Sequence, residues 1–139
     1  MTDIAGRRVV LSGGASGIGR ATAELLAERG ARVVVIDVDA ATGAGLASTA
    51  SAAGRDLSFV RADVAVADEA SSAVNAALGI LGGVDAFVSA AGIMRGQLVD
   101  IADLDEATFD RVVDVNLKGA FLMAQRVAPA MVEQGAGVI

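Results

Sequence analysis

The segment ARVVVID (31–37) places four β-branched residues in a row, Val33 to Ile36, with no alternation of apolar and polar positions. A strand covered on one face alternates, whereas a strand covered on both faces reads as a continuous apolar run. RRVVLS (7–12), LSFVRA (57–62) and VDAFVSA (84–90) are further short apolar runs. Helical stretches separate them, at 18–30, about 40–53 and about 67–79. Strand and helix alternating four times imply right-handed crossovers and a parallel sheet with helices on both faces. A long helix over about 105–133 follows, and GVI (137–139) reads as the start of one more strand.

Details within the helices can be read the same way. In IGRATAELLAERG (18–30), Ala21, Leu25, Leu26 and Ala27 fall at helical spacing, and Gly30 is a C-terminal stop. Pro129 lies inside the long helix and is expected to kink or shorten it. Phe109, Val112, Val113, Ala120 and Phe121 form an apolar stripe along that helix, with Asn116 inside it. Val115, Leu122 and Met123 lie off the stripe, so the helix is apolar on nearly all sides and expects burial on all sides. Asp100, Asp103, Asp105, Glu106 and Asp110 cluster at its start, where an N-cap and negative charge are favourable. The cluster lacks the glycine and terminal glutamate of a calcium loop.

Composition narrows the chemistry. The chain of 139 residues is one domain's worth, with no repeat or linker, and 54% hydrophobic against 20% charged residues argues against disorder. A net charge of −6 opposes nucleic-acid binding, since phosphates need a basic face. No apolar run approaches the roughly 18 residues of a membrane span. Met1-Thr2-Asp3-Ile4 lacks the basic start of a signal peptide, so a cytoplasmic location is expected. With no His and no Cys, zinc sites and His-assisted nucleophiles are excluded. With no Tyr and one lysine, Lys118, acid–base work would fall to carboxylates, serines or that lysine.

The stretch LSGGASGIGR (11–20) sets four glycines within seven positions, between a strand and a helix. In that context Gly13 can take the tight turn, and Gly17 lets backbone N–H groups approach a pyrophosphate. Gly19 allows close strand–helix packing, and the helix opening near Ile18 aims its positive end at phosphates. A strict G-x-G-x-x-G is not present, because Thr22 stands where the third glycine would be. GASGIGRA (14–21) approaches the triphosphate P-loop, but Arg20 and Ala21 replace its lysine and its magnesium-binding hydroxyl. Asp37 ends the second strand about 20 residues on, where an acid would meet the adenosine ribose hydroxyls. A carboxylate there would repel the extra phosphate of NADP.

The spacing Ser12-Gly13-x-x-x-Gly17-x-Gly19 resembles the cofactor turn of the short-chain dehydrogenase/reductase family, with Ser12 for the usual threonine. The likeness continues in Asp63-Val64, similar to the family's adenine-contacting pair, in DAFVSAAG (85–92) and in VNLKG (115–119). It implies an α/β, Rossmann-like, doubly wound parallel sheet and an NAD(P)-binding domain over residues 1–139. It implies cofactor contacts from Gly13, Ser16, Gly17, Ile18, Gly19, Asp37, Asp63, Val64, Ala90, Ala91 and Gly92. Ser16 and Val38 occupy positions that are basic in NADP-preferring relatives, so NAD is expected over NADP. Ser89-Ala90-Ala91-Gly92 departs from the family's Asn-Asn-Ala-Gly and loses an asparagine that helps tie the sheet.

Two readings stay open for Asn116: a core asparagine bonded to a neighbouring backbone, or the asparagine of the family's catalytic set, which holds a water and the active-site lysine in a proton relay. Lys118 is expected to be a solvated helix lysine. The family's hydride transfer also uses a serine after the fifth strand and a Tyr-x-x-x-Lys pair, none of which is in this sequence. The sheet is thus expected to be cut at the start of its fifth strand. VDAFVSA would then be an edge, and the long helix would offer a homo-oligomer contact. The likeness implies an oxidoreductase acting on an alcohol or carbonyl substrate, with this chain as its cofactor-binding part. The alternatives are a non-catalytic dinucleotide-binding module or subunit completed by another chain, and a structural protein that keeps the fold without cofactor.

Overall fold

A computed structural model describes residues 4–96 and 98–139. The residues Met1–Asp3, read above as unlike a signal peptide, lie outside that range. The elements run β1 (Arg8–Ser12), α1 (Gly17–Glu28), β2 (Arg32–Asp37), α2 (Ala40–Ala52), β3 (Leu57–Arg61), α3 (Ala67–Leu81) and β4 (Ala86–Ser89). A single long helical rod follows: α4 (Glu106–Val113), a π-helical turn (Asp114–Gly119) and α5 (Ala120–Glu133). No helix among the described residues is long and apolar enough to cross a membrane.

The four strands are parallel and ordered β3-β2-β1-β4. Their register sets Val10 beside Val34 on one side and Phe87 on the other. Successive side chains of a strand point to opposite faces, so a continuous apolar run supplies two cores. Val10, Val34, Ile36 and Phe87 face α3 and the long rod, packing with Val74, Ala77, Met123 and Val127. Val9, Leu11, Val33 and Val35 face α1 and α2, packing with Ala23, Ala27, Leu46 and Ala50. This is the doubly wound Rossmann-like arrangement, and β1 is where the chain order reverses. Beyond β4, Val138 makes one parallel bridge to Ala86, through Phe87 N–H to Val138 O at 2.9 Å and Val138 N–H to Asp85 O at 3.1 Å. The expected edge strand therefore carries one isolated bridge on its outer side.

Three helix details differ from the sequence expectation. In α1 the buried residues are Gly19, Ala23 and Ala27, while Ala21 is exposed and Leu25 is 48% exposed. Close approach to the sheet selects the smallest side chains, which leaves the leucine on the flank. In the long rod, Phe109 and Phe121 of the expected stripe are 57% and 59% exposed, and α4 buries no residue. The buried face instead carries Val115, Leu122, Met123, Val127 and Met131. The π-turn accounts for the difference: one extra residue turns everything after it by about 100° relative to a regular helix. Finally, Pro129 does not shorten the rod, which continues to Glu133. The carbonyl it leaves without a donor belongs to Gln125, and both residues are exposed, so water can meet it.

Candidate functional site

In an open parallel sheet, the loops leaving adjacent strands separate where the strand order reverses, and a crevice opens beyond the carboxyl ends. Here that point lies between β1 and β4, and a cavity of about 480 Å³ occupies it. The structure brings all eleven residues expected to contact a cofactor, from Gly13 to Gly92, to the wall of this one cavity.

The turn after β1 forms one side. Gly13 has φ +77, and a Cβ there would collide with the backbone of Ala90 and Ala91. A Cβ on Gly19 would strike the carbonyl oxygen of Gly13. At Gly13 and Gly19 the backbone is therefore packed too tightly for any side chain, whereas a Cβ on Gly17 would meet open space. Ser16 caps α1 in an extended conformation with no side-chain cap hydrogen bond, and no acidic residue stands in the first turn. The amides there lack intrahelical acceptors, so the positive end of the helix opens on the crevice. Ile18 is 86% exposed at the mouth.

Two carboxylates mark the far side. Asp37 Oδ2 accepts from the Ala15 N–H at 2.9 Å, and its Oδ1 accepts from the Asp39 N–H at 3.0 Å. It thus ties the glycine turn to the end of β2 while each oxygen keeps a further acceptor position. Asp39, also on the wall, caps α2 by accepting from the Thr42 N–H at 3.0 Å and hydroxyl at 2.6 Å. Those two bonds from Thr42 hold its carboxyl below the usual range.

Asp63 follows β3. Its Oδ1 accepts from the Ala65 N–H at 3.0 Å and its Oδ2 from Arg111 Nη2 at 2.8 Å. Its own N–H donates to Glu69, which also pairs with Arg61 at 2.6 Å. Partial burial works to raise the Asp63 pKa, but the Ala65 amide and Arg111 outweigh it, leaving the carboxyl below its ordinary value. The Val64 side chain turns inward and is part of the core against α3 and the rod.

Asn116 lies in the π-turn and is exposed, not in a core stripe. Its Oδ1 accepts from the Ile93 N–H at 2.8 Å and its Nδ2 donates to the Ile93 carbonyl at 2.9 Å. The amide pins the segment that leaves β4, and Ile93 itself lines the cavity. The amide does bond backbone, but from an exposed position and not as a core residue. Lys118 pairs with Asp114 at 3.2 Å in solvent. Asp105 caps α4 through Thr108 N–H at 2.8 Å, and no group of three or more acidic residues among those described could hold a metal.

Sequence reasoning missed Arg111, Asp39 and Ile93 on the cavity wall. Arg111 reaches its partner across 48 positions, and no local pattern signals such a pair.

A parallel sheet with a glycine turn at its reversal point and an acid ending the next strand defines the dinucleotide-binding class of α/β proteins. Comparison with known proteins narrows this. The sequence profile of the family described as short chain dehydrogenase matches residues 7–139, and the chain belongs to that family. It is 44% identical over 138 residues to the sex determination protein tasselseed-2 of Zea mays, covering 96% of this chain and 40% of that one. It is 41% identical over 135 residues to the mitochondrial (-)-isopiperitenol/(-)-carveol dehydrogenase of Mentha piperita, covering 96% and 50%. The crystal structure of gox2181 superposes with a TM-score of 0.92 at 34% identity, covering 96% of this chain and 52% of that one. The chain spans about half the length of the relatives it matches. Members of the family are oxidoreductases that use nicotinamide cofactors.

Proposed function

We propose that this chain is the NAD-binding part of an oxidoreductase that moves hydride between nicotinamide and an alcohol or carbonyl substrate. The supporting observation is the convergence of the glycine turn, Asp37 and Asp63 on one cavity. The turn fits a pyrophosphate: its backbone is packed where a side chain would intrude, and free amides of α1 face outward. Asp37 accepts from the ribose hydroxyls with its spare lone pairs, Asp63 accepts from the adenine amino group, and Ala90, Ala91 and Gly92 border the nicotinamide side. When bound, nicotinamide supplies the hydride acceptor or donor.

NAD is favoured over NADP because Asp37 and Asp39 both line the cavity where a 2′-phosphate would sit, with Val38 between them instead of a cation. Like charges brought together there cost several kcal/mol. The relative named for carveol dehydrogenation supports an alcohol/carbonyl couple. In this reading residues 1–139 form one nucleotide-binding domain, and Asn116 serves by holding Ile93 and the segment after β4. In the family's mechanism a tyrosine handles the proton on the substrate oxygen, and the sequence has none. By that mechanism the chain alone would bind without turning over. The exposed Phe109 and Phe121 on the rod would supply a homo-oligomer contact.

Calorimetric titration of the folded full chain with NAD and NADP tests the proposal. Micromolar NAD binding with weaker NADP binding is expected. A folded chain that binds neither would leave only the reading of a structural protein.

A further inference from the structure

Of the residues of α4, Arg111 alone stands on the cavity wall. α4 buries no residue and is capped at its start by its own Asp105. From that exposed helix the guanidinium crosses to the end of β3 and donates to Asp63 Oδ2 at 2.8 Å. Asp63 Oδ1 is held separately by Ala65, and the Asp63 backbone by Glu69. The carboxylate is therefore fixed at both oxygens and along its main chain, with one acceptor position left on each oxygen.

A carboxylate so held has a defined chemical preference. It accepts hydrogen bonds and, while ionised, donates none. A purine with an exocyclic amino group at C6 offers it a donor. A purine with a carbonyl at C6 opposes lone pair to lone pair.

We propose that Arg111 is a positioning residue that makes Asp63 a fixed, acceptor-only reader of the purine, so that the cavity selects 6-amino over 6-oxo purine dinucleotides. The inference rests on the dinucleotide reading above and adds the residue that sets base selectivity. Arg111 acts through Asp63: it fixes the rotamer and, as a neighbouring cation, favours the ionised form. Without it the carboxylate can turn away from the base.

The test is the ratio of affinities for NAD and nicotinamide hypoxanthine dinucleotide, measured by calorimetry on the full chain and its variants. The parent should favour NAD by roughly tenfold or more, as expected when a polar site loses its matching donor. Arg111→Met and Arg111→Gln should reduce the ratio to within about threefold of Asp63→Ala, by weakening NAD and not by strengthening the hypoxanthine ligand. Arg111→Lys retains the charge and one donor and should keep most of the ratio, a rescue that a general packing defect would not show. Adding Arg111→Met to Asp63→Ala should change the ratio no further.

A folded Arg111→Met or Arg111→Gln chain with the parent ratio would overturn the inference while leaving the dinucleotide reading intact. So would a parent that binds both dinucleotides equally. A parent that binds neither would remove the dinucleotide reading and this inference with it.

Discussion

Where the strands begin, Asp85 takes three hydrogen bonds, all from Arg8; where they end, Asp37 and Asp63 take two each and line a cavity. At the first end Arg8 grips Asp85 with Nη2 to Oδ1 at 2.6 Å and Nε to Oδ2 at 3.1 Å, and the Arg8 N–H adds a third bond at 2.8 Å. Gln134 closes the cluster by accepting from Arg8 and bonding the Val84 carbonyl. Arg32 pairs with Asp56 at 2.9 Å and reaches the carbonyls of Ile80 and Leu81, both at 3.1 Å. At the other end Asp37 and Asp63 each accept one bond per oxygen, and Ser16 caps α1 without a side-chain bond. The same residue types thus serve two purposes. Asp85 and Asp56 hold elements together away from the cavity, while Asp37 and Asp63, fixed by their existing bonds, line it and can still take a ligand.

The comparison can be broken most forcefully at Gly13. An alanine there would sit at φ +77 against the backbone of Ala90 and Ala91, which cannot step aside without moving β4. Gly13→Ala should cost about 3 kcal/mol or more of stability and abolish nucleotide binding. Urea denaturation together with calorimetry reads both. A variant of parental stability would mean that the two loops are not packed as described.

Asp37→Ala comes next. It removes a ribose acceptor and also the tether to Ala15, so NAD affinity should fall roughly tenfold to a hundredfold, in line with losing charge-assisted hydrogen bonds of about 1.5–3 kcal/mol. NADP affinity should not rise to the parent's NAD affinity, because the glycine turn has lost its anchor. An efficient switch to NADP would show that the carboxylate only repels phosphate and does not organise the turn.

At the end away from the cavity the effect should fall on folding alone. The hydrogen bonds from Arg8 lower the Asp85 pKa to about 2. A depressed carboxyl contributes stability that is complete above its unfolded value near 4 and is lost as pH falls through about 2. Asp85→Asn should cost about 1–2 kcal/mol at neutral pH and flatten the pH dependence of stability between about 4 and 2. NAD affinity should stay within twofold of the parent at neutral pH. A large affinity loss in this variant would mean that the two ends are coupled and the division of labour is false.

How far this arrangement could be read from residues alone depends on the range of the signal. The strands were readable because runs such as Val33–Ile36 carry their own propensity and their two-sided burial in adjacent positions. The glycine turn was readable because its spacing is local. The buried face of α1 was not, since hydrophobicity singles out Leu25 while close packing on the sheet uses Gly19, Ala23 and Ala27. The face of the long rod was misjudged because a π-turn at 114–119 breaks the constant period on which any such reading relies. No residue type announces that insertion. The Arg111–Asp63 pair, 48 positions apart, joins two elements whose relative placement only the fold determines.

The smallest expected effect lies where the two regimes meet. Ser12 ends β1, in register with Ile36 and Ser89, and is fully buried. Among the described residues its hydroxyl has no hydrogen-bond partner. It belongs to neither end: it is not paired like Arg8, and it is not on the cavity wall like Asp37. A buried hydroxyl without a partner costs free energy, and alanine would remove that cost along with one small atom. Ser12→Ala should therefore be neutral or stabilise the fold by up to about 1 kcal/mol in urea denaturation, with NAD affinity unchanged. Destabilisation by more than about 1 kcal/mol would show that the hydroxyl is bonded in solution, and that bonds holding elements together extend to the crevice itself.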